Sequence, residues 1–171
     1  MANTTFSGPV ISKNGFTTTG PGTTVSLTAN TTLTVKSHAG RILLCNDADG
    51  VFTLPTINAN ANGKTSGETD YNNLNNIGAS FYFYVETLAT AIKITTDGTD
   101  KFKGAAIVAV DDGNKKAFIP GATNDAIDLN GTTKGGLVGS VIQVTAIDTN
   151  SYLVHNTLLL GSGTIVTPFG N

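Results

Sequence analysis

Charge is scarce in this 171-residue chain: Asp, Glu, Lys and Arg together make up 13% of it, against about 25% in an average globular domain. Arg41 is the single arginine, the lysines are scattered, and the net charge is −2. Nucleic acids and anionic membranes need clustered Lys and Arg, so neither is expected as a partner. The pairs Lys101/Lys103 and Lys115/Lys116 read as solvated turn edges. There is no tryptophan, and Cys45 is the one cysteine. A lone thiol excludes an intrachain disulfide, and inside Ile42-Leu43-Leu44-Cys45 it reads as a buried, inert group. No apolar run approaches the roughly 20 residues that span a bilayer. Residues 1–5 carry neither a basic n-region nor an apolar h-region, so the expectation is a protein made and folded in a cytoplasm.

What fills the space left by charge is Thr, Asn, Ser and Gly, residues that favour strands (Thr) or turns (Asn, Ser, Gly) over helix interiors. Asn-Gly or Asp-Gly pairs recur at Asn14-Gly15, Asp49-Gly50, Asn62-Gly63, Asp97-Gly98, Asp112-Gly113 and Asn130-Gly131. Such pairs tolerate the positive φ of tight hairpin turns. Between them lie short runs of alternating apolar and polar residues, the mark of half-buried strands. These include 24–28, 41–45, 51–54, 79–86, 91–96, 105–110, 126–129, 139–147 and 152–159, with 41–45 and 51–54 reading as a hairpin about an acidic turn. Leu33 and Val35 continue the strand pattern, and nothing reads as a helix. About ten short strands at this spacing predict an all-β fold, an antiparallel sandwich or a jelly-roll-like barrel. The chain is long enough to bury roughly 70% of its extended surface in one domain.

Two segments break the rhythm. Residues 1–22 set Phe6, Val10, Ile11 and Phe16 among Ser, Gly, Pro and Thr, with Pro9 and Pro21 interrupting any ladder. They read as an extended arm or as a frayed terminus, with 23–171 as the single β domain. Residues 55–78 form a long Asn/Gly-rich loop carrying Tyr71, and loops of that length in compact domains are commonly functional. A third feature lies inside a strand: Phe81, Phe83 and Val85 alternate with Tyr82 and Tyr84, which share the other face with Glu86. Tyrosines on the second face fit a subunit contact or a strand buried on both sides; Tyr71, Tyr82 and Tyr84 are thus the interface candidates.

Chemistry finds little support. Nucleophilic catalysis needs a nucleophile, a base and an orienting group together. The histidines, His38 and His155, come with no serine-elbow sequence, since Gly161-Ser162-Gly163 is tighter than G-x-S-x-G. Asn46-Asp47-Ala48-Asp49-Gly50 resembles the start of a calcium loop but lacks the glutamate at its twelfth position. Turn chemistry explains it, leaving Asp47 and Asp49 as weak metal candidates. Glu68 and Glu86 are the only glutamates, a poor basis for a glycosidase pair. No P-loop, dinucleotide fingerprint or zinc spacing is present. The expectation is a protein with no catalytic residues, cofactor or metal.

The second half carries a family likeness. Asp125-Ala-Ile-Asp-Leu-Asn-Gly-Thr-Thr-Lys-Gly-Gly-Leu-Val-Gly-Ser140 runs into Val141-Ile-Gln-Val-Thr-Ala-Ile-Asp148, followed by Tyr152-Leu-Val154, Gly161-Ser-Gly-Thr164 and Thr167-Pro-Phe169. Upstream, Ala39-Gly-Arg-Ile-Leu-Leu44, Asp47-Ala-Asp-Gly50 and Phe52-Thr-Leu-Pro55 fit the same template. Over 23–171 this resembles the small virion structural proteins of tailed bacteriophages, often capsid decoration (cement) proteins. The resemblance implies a protomer on the outer capsid surface that binds the major capsid protein and itself, commonly as a trimer. Phe6, Val10, Ile11 and Phe16, with Ile165 and Phe169 at the other end, would then be apolar anchors reaching a neighbour. The alternative is a receptor- or glycan-binding β module of a tail fibre or tail tip, with the tyrosines as platforms.

Overall fold

The computed structural model describes residues 21–59, 75–111 and 113–171. Phe6, Val10, Ile11 and Phe16 of the expected arm, and Tyr71 of the long loop, lie outside the described residues. The rest is a two-sheet β sandwich with one turn of α-helix, so the all-β expectation holds. The larger sheet runs β1 (Thr24–Leu27), β3 (Ile42–Cys45), β5 (Ser80–Val85), β11 (Val141–Ala146), β12 (Ser151–Gly161), β8 (Ala106–Val110) and β9 (Lys115–Phe118), with β7 (Lys101–Gly104) also on β12. The smaller runs β13 (Phe169–Gly170), β10 (Ala126–Leu129), β6 (Ile92–Thr95), β4 (Val51–Thr53) and β2 (Thr31–Thr32).

The pairing is mixed rather than antiparallel. β1, β3 and β5 lie parallel in the larger sheet, and β2, β4 and β6 lie parallel in the smaller one. Each pair β1–β2, β3–β4 and β5–β6 is therefore one rung that turns a corner from sheet to sheet, and three rungs stack in register. The segments on either side of Asn46–Gly50 do not form a hairpin; they belong to different sheets. Alternation along a strand reports which face is buried, not which strand lies alongside, so the sequence pattern fits both arrangements. Side-chain amides hold the corners: Asn30 Oδ1 accepts from the Val51 N–H at 2.8 Å, and Asn46 Nδ2 donates to Ser26 Oγ at 2.8 Å and Glu86 Oε2 at 2.6 Å. Gly98, Gly113 and Gly131 take the positive φ expected of their pairs, at 91°, 85° and 71°. Gly50 does not. Its need is space, because a Cβ there would lie 2.7 Å from the Phe52 ring.

Residues 33–35 also depart from the strand expectation. α1 (Val35–His38) is one turn, N-capped by Thr34, and its last residue reaches back so that the Thr34 N–H donates to His38 Nδ1 at 2.9 Å. So short a helix leaves no 3.6-residue periodicity to read.

The core lies between the sheets. Phe52, Ile94, Ile127 and Phe169 are consecutive cross-strand partners on the smaller sheet, facing a row of Leu43, Phe83 and Ile142 on the larger. Phe52 and Phe83 stack across the gap with ring centroids 6.4 Å apart. Each such buried side chain contributes about 1.5–3 kcal/mol. Tyr152 is buried too, and its hydroxyl donates to the Pro55 carbonyl.

Candidate interaction surface

Outward-facing residues of the larger sheet are set by the same alternation that fills the core. β5 shows half-buried and buried residues in strict turn, so Ser80, Tyr82 and Tyr84 point away from Phe81, Phe83 and Val85. Register then carries the outward set across the sheet. Leu44 pairs with Tyr84, Tyr84 with Val141, and Val141 with Leu158, which is 43% exposed. A second row joins Ile42, Tyr82, Gln143 and His155. No Asp, Glu, Lys or Arg occupies an outward position on β1, β3, β5, β11 or β12. An exposed sheet face normally carries such residues, whereas strands covered on both sides are apolar on both.

Polar side chains on this face are tied to one another. Gln143 Nε2 and Thr145 Oγ1 donate to Ser80 Oγ at 2.7 and 3.0 Å, and Asn156 Nδ2 donates to Gln143 Oε1 at 2.7 Å. His155 Nε2 lies 2.8 Å from Thr145 Oγ1. Asn156 sits at φ 46° where the β11–β12 register shifts, a bulge that an asparagine tolerates better than most residues. The bulge divides β12. Its first part pairs with β7 and its last with β8, and Thr157 Oγ1 accepts from the Ile107 N–H at 3.0 Å in between. Gly104 makes the crossing possible, because a Cβ there would lie 2.2 Å from the Val154 carbonyl oxygen.

The candidate residues for chemistry are dispersed. His38 is spent on the α1 turn, and burial, joined by the nearby Arg41 charge, lowers its pKa against the opposing Thr34 backbone hydrogen bond. Among the described residues no carboxylate hydrogen-bonds to His155, and no group of three metal-ligating side chains occurs. Asp47 and Asp49 lie at the β3–β4 corner, whose Ala48 carbonyl accepts from Thr90 and Ala91 of the next rung's corner. Burial pushes the Cys45 thiol up to about 12. The most structured acidic site is Asp97–Asp100. Partial burial acts to raise the Asp97 pKa, but hydrogen bonds from Thr99, Thr56 and the Asp100 N–H outweigh it and hold the carboxyl at about 2. Asp100 is buried and pushed upward by that burial, while one oxygen accepts the Ile57 N–H at 2.8 Å. These two carboxylates fasten the start of the long loop.

Two candidates for contact with a neighbour belong elsewhere. Ile165 and Phe169 are 7% and 6% exposed and sit in the protomer's own core. The C-terminal strand closes the smaller sheet on β10 rather than presenting a free apolar tail. Conversely, Leu44, Val141, Leu158 and Ile107 were not singled out from the sequence. The signal available was the run Ile42-Leu43-Leu44-Cys45, apolar at every position and hence on both faces. The glycine-rich 130–140 segment proves structural. Gly135 and Gly136 have φ of 79° and 103° and pack within Cβ-excluding distance of Leu159 and Ala89. Buried Ser140 Oγ accepts from the Leu160 and Gly136 N–H groups at 2.9 and 3.3 Å.

No protein-family model, curated protein or solved structure matches the chain.

Proposed function

We propose that this chain is a non-enzymatic structural protein of a tailed-bacteriophage virion, a decoration or cement protein on the outer head surface that binds the major capsid protein and its own copies, as a trimer. The observation that carries assembly over chemistry is the uncharged, tyrosine- and aliphatic-bearing outer face of the larger sheet. Interface cores are depleted in charge and rich in tyrosine. The head location is supported by the sequence resemblance over 23–171. Many weak contacts, repeated over a symmetric shell, suffice for attachment. Cryo-electron microscopy of the particle that carries the chain tests it: density is expected on the head, and density confined to the tail overturns the proposal.

One observation favours the tail-module alternative. Tyr82 lies beside a hydrogen-bonded set of amides and hydroxyls at Ser80, Gln143 and Thr145, a combination of flat ring and polar rim that suits a sugar. A glycan array decides between them, with no binding expected for a head protein.

A further inference from the structure

We infer that the outer face of the larger sheet docks a second copy of this chain, centred on the row Leu44, Tyr84, Val141 and Leu158. The inference rests on the assembly reading above but not on the head location. The row is continuous because each residue is the direct cross-strand partner of the next. Ile107, 42% exposed, extends it onto β8, one residue before the Leu159–Val108 pair. Next to it a hollow of about 240 Å³ opens among Ala109, Val110, Leu137, Leu160 and Gly161, with the Asp111 side of the β8 end closing it. A ridge and a hollow on one face give a second copy both halves of a fitted contact.

Charge selects the occupant. The five adjacent strands carry no fixed charge themselves, and the charges that bound the face are of both signs. Glu86 stands on the outward side two residues beyond Tyr84, bonded to Asn46, and Lys103 lies opposite the outward Leu153, so a second copy brings a counter-charge for each. Lys101 and Lys103 lie on β7 directly beside β12, and Lys115 lies on β9 beside β8. The polar groups on the face are self-complementary as well. Gln143 and Asn156 each carry a donor and an acceptor, and their mutual hydrogen bond holds them in place before docking, which lowers the entropic cost of contact. Size is adequate. Six strands about 4.8 Å apart and five residues deep make a face of roughly 500 Å², most of the ~800 Å² that each partner brings to a standard interface.

Sedimentation velocity of the full chain at micromolar concentrations tests this. The expected species is a multiple of the 17.5 kDa protomer. Tyr84→Lys or Leu158→Lys, each placing a like charge in both copies, is expected to weaken association on the order of a hundredfold, with the circular dichroism spectrum unchanged. Leu158 is a surface position, so its variant folds even where a change at Tyr84 disturbs the sheet. Thr53→Lys, on the outward face of the smaller sheet between Thr32 and Thr95, serves as control and leaves the oligomer intact. A monomeric wild-type protein, or folded Leu158→Lys that still associates, overturns the inference. Pelleting with shells that lack the chain separates the two readings. A monomer that binds shells through these residues assigns the face to the capsid and sinks only the inference. An oligomer that binds no shell sinks only the head location.

Discussion

On β5, Phe81, Phe83 and Val85 point inward and are at most 1% exposed, whereas Tyr82 and Tyr84, their immediate neighbours, point outward and remain half-buried. The inner set meets the other sheet through the Phe52–Phe83 stack. The outer set meets Leu44 and Val141 laterally and then solvent in the isolated protomer. Both faces are built from large, rigid side chains with no charge among them. They differ in one respect: the outer one keeps hydroxyls and amides that stay satisfied in water. A surface that must be soluble alone and dry when covered needs that compromise. The comparison separates residues that hold the protomer together from residues that hold protomers to something else.

Substitutions on the two faces should therefore fail differently. Phe83→Ala, which empties a ring site in the core, is expected to cost about 3–5 kcal/mol, read as a lower urea midpoint. Gly135→Ala comes next, at about 2–4 kcal/mol, because a side chain there combines a left-handed backbone with a 2.6 Å approach to Leu159 Cβ. Tyr152→Phe, on the inner face of β12, leaves the buried Pro55 carbonyl without its donor and is expected to cost about 1–3 kcal/mol. On the outer face, Tyr82→Ser, which removes a half-buried ring from a central strand, should cost the protomer about 1 kcal/mol, well short of Phe83→Ala, while weakening assembly. A Tyr82→Ser midpoint that drops as far as that of Phe83→Ala would erase the distinction between the faces.

A smaller, pH-dependent effect sits at the loop base. The folded Asp97 carboxyl lies at about 2, below its ordinary 3.8. Its contribution is thus fully present above about pH 4 and lost as pH falls towards 2. Asp100 is shifted the opposite way by burial, so its charged form is disfavoured in the fold and its contribution grows as it protonates. The two partly cancel. Asp97→Asn should flatten the acid limb of stability against pH, and an unchanged limb would place the acid sensitivity elsewhere.

Local chemistry made the strands legible: alternation located β5, β10 and β11 with their buried faces, and the outward tyrosines with them. It could not reveal partners. Ile42–Cys45 and Val51–Thr53 look like hairpin arms because an acidic, glycine-ended turn joins them, yet the rungs above and below make that turn a corner between sheets. The row Leu44–Tyr84–Val141–Leu158 is assembled from four strands distant in sequence, so no local window contains it. Phe169 looked like a free anchor because apolar residues near a chain end, among Gly, Thr and Pro, resemble an arm. Pairing with Ile127 makes it core.

Tyrosine modification by nitration, with mass-spectrometric readout, tests the central claim most directly, because the chain carries tyrosines on both faces of one sheet. In the free protomer Tyr82 and Tyr84 are expected to react while buried Tyr152 does not. In the assembled particle Tyr82 and Tyr84 should become protected, leaving Tyr152 as before. Equal modification of Tyr82 and Tyr84 in protomer and particle would show that the outer face stays in water, and would contradict the account.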